Sequence, residues 1–204
     1  GYRSLCANTT GIENTAVGNI ALTNSTTGGG QTAVGNGALY TNTTGSENTA
    51  LGKSALFLNS TGNYNTAVGK DALRANTASN NTAVGYDALT ANTTASGQVA
   101  VGANALCSNA NGPQNTAIGN NAMCSNTTGA CNVAVGRNAL CSNTDAYWNT
   151  AVGYSSMLSN TTGRCNSALG QGALYFNTTG SNHIAFGYES LNKNTTASSN
   201  TAVG

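Results

Sequence analysis

Charged residues are scarce in this chain. Only 6% of its 204 residues are Asp, Glu, Lys or Arg, against roughly 25% in an ordinary soluble domain. The seven basic residues stand singly and the formal net charge is +1, so the sequence offers no basic patch for nucleic acid or an anionic membrane. We therefore expect no nucleic-acid partner, and no membrane contact within this segment.

Residues that carry out acid–base or metal chemistry are equally scarce. His183 is the single histidine, and the six acidic residues stand in different repeats of the chain. A general acid and base pair, a catalytic triad or a two-histidine metal site needs several such groups at one place. The sequence thus predicts no enzyme activity, no cofactor and no metal site.

Long apolar segments and targeting signals are missing as well. No apolar run approaches the roughly 18 residues of a membrane span, and no charged start followed by an apolar core marks a signal peptide. The sequence starts at Gly1 and stops inside a repeated motif at Gly204. We interpret residues 1–204 as one repeat array without an internal domain boundary, a window of a longer tandem-repeat protein.

What the chain does contain is a repeat. A Gly that follows an apolar residue recurs at steps of 17 residues, with one step of 16 between Gly69 and Gly85, which gives twelve units. Counted from this Gly, the fourth place is Ala or Ser, the fifth is Leu or Met, and the eighth is Asn in eleven units. The sixteenth place is Ala and the seventeenth is Val, Leu, Ile or Phe. Asn fills the fourteenth place in nine units, and Gln31, Gln98 and His183 replace it in the others.

Each unit has the pattern of two short strands separated by turns. The strands are the Thr-Ala-Val stretch and the Ala-Leu pair, and Asn-Thr-Thr-Gly is a turn, which loses one residue after Asn76. A unit this short cannot bury a core alone, whereas stacked copies form a continuous apolar column. This predicts an all-β fold, a parallel β-solenoid (β-roll) of twelve 17-residue coils, about 58 Å long at about 4.8 Å per coil. We expect places such as Ala16, Val17, Gly18 and Leu22 inside, and the Asn-Thr-Thr-Gly turn outside.

The strand motif resembles a known family. The stretches Gln98-Val-Ala-Val-Gly, Asn132-Val-Ala-Val-Gly and His183-Ile-Ala-Phe-Gly, each followed by Ala or Ser at the fourth place, are similar to the head repeats of YadA-like trimeric autotransporter adhesins. They are also similar to repeats in some phage tail fibres. The resemblance extends over the whole chain, and it implies a left-handed parallel β-roll, commonly trimeric, at a cell or virion surface.

These features predict a structural or adhesive function. The expected protein is a segment of an extracellular fibre or surface stalk, located outside the cell or on a cell or virion surface. Its expected partners are further copies of itself, as a homotrimer or an end-to-end filament, together with a covalent glycan or a host-surface ligand. A trimeric phage tail-fibre segment is one alternative. A carbohydrate- or ice-binding module that uses the polar Asn and Thr rows is an alternative of another class.

The Asn residues have two interpretations. Asn-x-Ser/Thr is the acceptor signal for N-glycosylation, although a turn built of Asn, Thr and Gly also matches it by composition alone. The alternative is a ladder in which stacked amides hydrogen-bond from coil to coil, which we favour for the fourteenth place, with His183 as a tolerated substitute. The candidate glycosylation sites are Asn8, Asn24, Asn42, Asn59, Asn92, Asn126, Asn160, Asn177 and Asn194.

The cysteines also leave two interpretations open. Cys107, Cys124 and Cys141 occupy the sixth place of three successive units, and a coil spacing of about 4.8 Å lies inside the Cα range of a disulfide. These three are the disulfide candidates, and small apolar filler is the equal alternative. Cys131 and Cys165 lie two units apart, which at about 9.6 Å is too far for a bridge within the chain.

Overall fold

The chain folds into a stack of coils, and the computed structural model describes all of residues 1–204. It contains strands and no helix, so no helix is present that could cross a membrane. Each coil contributes one strand of three residues, and the twelve strands form a single sheet in chain order. The strands are β1 (Thr15–Val17), β2 (Thr32–Val34), β3 (Thr49–Leu51), β4 (Thr66–Val68), β5 (Thr82–Val84), β6 (Val99–Val101), β7 (Thr116–Ile118), β8 (Val133–Val135), β9 (Thr150–Val152), β10 (Ser167–Leu169), β11 (Ile184–Phe186) and β12 (Thr201–Val203).

Every neighbouring pair of strands is parallel and in register. Each strand pairs residue for residue with the equivalent stretch of the next coil. The pairing continues across the shorter unit, where Thr66 lies beside Thr82. There the Nδ2 of Asn76 donates to the carbonyl oxygen of Ala78 at 2.8 Å, so the turn closes with one residue fewer. The predicted parallel β-solenoid, and the place of its deletion, are confirmed.

The core is a narrow column of small and large apolar side chains. Leu22, Leu39 and the equivalent Leu or Met of the inner coils are fully buried, as are the Ala residues at the fourth and sixteenth places, such as Ala38 and Ala33. Together, 29 buried apolar residues form one continuous cluster. Each coil supplies only one large apolar side chain, set between Ala residues. That side chain is buried only because the neighbouring coils cover it from both sides.

The Ala-Leu pair does not form the second strand that the sequence predicts. The fifth-place Leu adopts a left-handed conformation, with φ of 51° at Leu39 and Leu56, and the third place does the same, with φ of 56° at Ser54. These angles bend the chain instead of extending it, and each costs of order 1–3 kcal/mol in a non-glycine residue. Hydrogen bonds to the next coil persist, such as Leu56 N–H to the Ala72 carbonyl at 3.0 Å. The inter-coil bonds thus hold a bend where the sequence predicts a strand.

The glycine that marks each unit is required by the stacking. At Gly102 φ is 133°, and a Cβ built there would lie 2.5 Å from the carbonyl oxygen of Gly119 in the next coil. No side chain fits at that distance, and L-residues rarely adopt that φ. The same geometry recurs at the equivalent glycines, which explains why this place is Gly in all twelve units.

The expected inside and outside of the strand are partly wrong. Ala33 and its equivalents point into the core, as predicted, but Val17 is 55% exposed and Leu51 is 46% exposed. Successive side chains of a strand point to opposite faces. Because the central Ala is inside, the Thr and the Val on either side of it are both outside. The seventeenth place therefore belongs to the surface.

Candidate functional site

The residues that could carry chemistry lie apart in the fold. No group of three or more His, Cys, Asp or Glu side chains is placed to hold a metal ion. The densest charged region is an open concavity of about 500 Å³, lined by Lys53, Lys70, Asp71, Arg74 and Asp87. Asp71 accepts from Lys70 at 3.3 Å and from Arg74 at 3.5 Å, and its hydrogen bond raises the pKa of Lys70. These ions stay in contact with solvent, so their pairing is a weak surface interaction.

The fourteenth places form a line of buried amides, here named the strand-entry column because each precedes a strand. At Asn132 the Oδ1 accepts the backbone N–H of Asn149 at 2.9 Å, and the Nδ2 donates to the carbonyl of Ala146 at 2.8 Å. Both partners lie in the next coil. One side chain thus bridges two backbone groups of its neighbour, which confirms the predicted ladder. The column contains Asn14, Gln31, Asn48, Asn65, Asn81, Gln98, Asn115, Asn132, Asn149, Asn166, His183 and Asn200.

His183 takes the same place with a ring instead of an amide. Its Nδ1 accepts the backbone N–H of Asn200 at 3.2 Å, and its Nε2 lies 2.7 Å from the carbonyl oxygen of Ala197. The ring therefore carries its hydrogen on Nε2, because Nδ1 has to be the acceptor. With 1% of its surface exposed, His183 is the ladder substitute that the sequence predicts.

The eighth places form a second line of amides, here named the turn column. At Asn126 the Nδ2 donates to the Oδ1 of Asn109 at 2.7 Å and to the carbonyl of Gly129, in its own turn, at 2.9 Å. The same amide-to-amide bond links each coil to the one before it, without a break from Asn42 to Asn194. The sequence predicts an outward turn at these Asn residues and so does not predict this column, although Asn recurs at the eighth place in eleven units.

The turn column has one defect, in the second coil. There Asn24 stands one place early, and Ser25 fills the column place instead. The Ser25 hydroxyl is too short to reach its neighbours, so the Ser25 Oγ and the Asn8 Oδ1 are both buried without a hydrogen-bond partner. The Gln31 Oε1 of the same coil is also unpartnered. This coil is therefore the weakest link of both columns.

The predicted outward position of the turn is wrong for its Asn. Six of the candidate glycosylation sites have fully buried side chains whose Nδ2, the atom a sugar would modify, donates to a backbone carbonyl. A sugar there would have to break the column, because the interior has no space for it. Asn8, Asn24 and Asn194 are half-buried, and Asn24 alone lies outside the column. The six buried sites are Asn42, Asn59, Asn92, Asn126, Asn160 and Asn177.

The cysteine candidates lie in one line, and two of them touch. The Sγ atoms of Cys124 and Cys141 are 2.8 Å apart, and both thiols are free. A hydrogen bond from the Cys141 thiol lowers the pKa of Cys124 to about 6, and the same bond, with burial, raises the pKa of Cys141. Burial raises the pKa of Cys107, whose Sγ contacts the Cys124 carbonyl at 3.4 Å. The disulfide stays a prediction, and the geometry favours the pair Cys124 and Cys141.

The outer surface of the sheet is a further candidate site, here named the sheet face. It consists of the outward side chains at the fifteenth and seventeenth places of the twelve strands. Leu169 is 50% exposed and Phe186 is 41% exposed, although both are large and apolar. The fifteenth place is Thr in eight units and Ser, Val or Ile in the others, and no side chain of either row is charged. The sheet face is thus a continuous apolar row beside a row rich in Thr.

Other outward rows of the same rod differ from the sheet face. The second place carries Lys53, Lys70 and Arg137. Aromatic neighbours contact two of these cations: the Lys70 Nζ lies 5.0 Å from the ring centre of Tyr86, and the Arg137 Cζ lies 5.9 Å from that of Tyr154. The thirteenth place ranges from Glu47 to Gly and Cys. These rows therefore vary from coil to coil as ordinary solvated positions do. The seventeenth place is the exposed row that stays apolar throughout.

Comparison with known proteins gives no relative. The chain matches no protein-family profile, no curated protein and no solved structure.

Proposed function

We propose that the chain is a structural segment of an extracellular fibre or of a surface stalk, located outside the cell or on a cell or virion surface. The observation that carries the proposal is the continuous stacking of twelve coils in register, reinforced along its length by two columns of buried amides. Such a stack transmits load along its axis through backbone hydrogen bonds, and its length is set by the number of units. A rod of this kind holds whatever lies at its ends about 58 Å apart.

The particular kind of fibre, its partners and its glycosylation are also proposals, and each rests on a different observation. A role as adhesin head or phage tail-fibre segment rests on the similarity of the Val-Ala-Val-Gly stretches to those families. Self-association, as a homotrimer or an end-to-end filament, rests on the repetitive surface. A glycan is supported only at Asn8, Asn24 and Asn194, which are half-buried, and a regular coat along the rod has no support because the six sites between them are buried. A ligand on a host surface would bind the exposed rows.

A second candidate function has a specific observation behind it. The Thr row of the sheet face lies on a single parallel sheet in register, so it offers hydroxyl groups spaced about 4.8 Å apart. Such a row suits a carbohydrate- or ice-binding module better than turn residues do. Three of its twelve positions, Val99, Val133 and Ile184, have no hydroxyl, which interrupts the row and places this function second.

Removal of whole coils tests the structural function. Deleting residues 85–135, which are three complete units, should shorten the rod by about 14 Å and leave a cooperative fold. Deleting residues 85–92 is the matched control, because half a unit shifts both amide columns out of phase and should disrupt stacking. The lengths are measured by electron microscopy and small-angle scattering. An unchanged length after the 85–135 deletion, or equal folding of both variants, contradicts the proposal.

A further inference from the structure

We infer that the sheet face is the interface through which two copies of this chain pair side by side. The inference rests on the proposed structural function, which it deepens by naming the partner and the surface. Its starting point is the seventeenth place, which is apolar in twelve of twelve units although none of these side chains is buried. A solvated strand position would accept Thr, as the fifteenth place does eight times. The uniform exclusion of polar residues from the seventeenth place indicates a covered surface.

The shape of the face fits a second rod. Two sheets pack face to face at about 10 Å when their outward side chains interdigitate. Rows that repeat about every 4.8 Å on one copy match the same rows on another copy at many positions, so the face is self-complementary. Because neither row carries a charge, two such faces approach without repulsion. Each chain has one such face, and one face is covered by one other, which predicts pairs and not trimers.

The area of the face is close to what a stable pair needs. The strands span roughly 58 Å along the axis and roughly 10 Å across, which gives roughly 580 Å² of plane. The accessible surface of ridged side chains exceeds this plane, and stable interfaces bury about 800 Å² on each partner. A contact of this kind, with an apolar row beside a row rich in Thr, combines apolar and uncharged polar surface as protein interfaces do.

A second copy fits the face better than an ordered water lattice does. Leu51, Ile118, Leu169 and Phe186 interrupt the Val row with side chains of different size. An ice lattice requires the same surface at every step, whereas a protein partner adjusts its own side chains to such irregularities. The structure therefore favours pairing over ice binding at this face.

Mass measurement in solution tests the pairing. Wild type should have twice the 20.3 kDa chain mass, and the double variant Leu51→Lys, Ile118→Lys should have the single mass, because two charges would be buried in each face. The matched control is Thr44→Lys, Thr128→Lys, on exposed turn places away from the sheet face, which should stay paired. Multi-angle light scattering gives the masses, and circular dichroism checks the fold. Leu51→Thr, Ile118→Thr replaces the Lys variant if that one fails to fold, with an expected tenfold or greater weakening of pairing.

The other results overturn the pairing. Wild type at 20.3 kDa at the highest soluble concentration contradicts it, as does a trimer, or an equal loss of pairing in the turn control. A monomer that shapes ice crystals, with the activity lost in the sheet-face variant, assigns the face to ice instead. In each of these cases electron microscopy still tells whether the single chain is a rod, so failure of the pairing is distinguishable from failure of the structural function.

Discussion

Asn126 carries the most direct prediction about what holds the coils together. Replacing it with Ala removes three hydrogen bonds: its Nδ2 donates to Asn109 and Gly129, and its Oδ1 accepts from Asn143 at 2.7 Å. The Oδ1 of Asn109 then lies buried without a donor. At about 1 kcal/mol for each of the three net bonds, and about 1–3 kcal/mol for the orphaned Asn109 Oδ1, we expect the free energy of unfolding to fall by about 4–6 kcal/mol.

This loss of stability has to be distinguished from any general effect of a mutation in the turn. Thr128→Ala is the control, because Thr128 is exposed two residues away and its side chain makes no hydrogen bond, so it should change the unfolding free energy by less than about 0.5 kcal/mol. Urea unfolding followed by circular dichroism gives both values. Hydrogen exchange then shows whether the loss is centred on the coils around Asn126, because repeat arrays need not unfold in a single step.

A small loss of stability in Asn126→Ala would refute this reasoning. If Asn126→Ala costs less than about 1 kcal/mol, or no more than Thr128→Ala, the amide column contributes little net stability. The apolar column and the backbone bonds would then hold the rod on their own.

Three further predictions concern single positions. Ser25→Asn should stabilise the fold by about 1–3 kcal/mol and so raise the melting temperature, because its side-chain amide supplies the donor that the Asn8 Oδ1 lacks. An unchanged melting temperature contradicts this. Gly102→Ala should lower the melting temperature by several degrees, because of the close Cβ contact and the positive φ, and normal folding would show that the coils can move apart. In the reduced protein at pH 7, iodoacetamide should alkylate Cys124 faster than Cys107. The pKa of Cys124 is about 6, so its thiol is mostly thiolate at pH 7 and becomes protonated as the pH falls through 6, while the pKa of Cys107 is raised. Equal rates, measured by peptide mass spectrometry, would contradict the assignment.

The sequence predicted the coil and its core because these follow from spacing. Recurrence at 17 residues fixes one coil for each unit, and the invariant Ala and the Leu or Met can only serve as a shared core. The strand-entry column was also predictable, since an amide before every strand has a row of equivalent backbone groups to bond. Even His183 fits this logic, because an imidazole offers one acceptor and one donor, as an amide does.

What the sequence did not predict depends on backbone angles. Leu is a residue of strands and helices, so nothing in the Ala-Leu pair indicates the left-handed bend that Leu39 adopts at φ of 51°. The eighth-place Asn, three residues later, is buried, where a composition of Asn, Thr and Gly suggests an outward turn. The exposed Val row was missed because apolar residues are usually assigned to the core. The alternation of side chains around a buried Ala could have indicated it.

The central claim is that one unit of 17 residues makes one coil of a single continuous rod. Electron cryomicroscopy of the chain measures this directly as the axial rise between successive units. We predict a rise of about 4.8 Å with twelve rungs in about 58 Å. A globular particle, a flexible chain, or a rise of about 9.6 Å for each unit, which would mean two rungs, would contradict it.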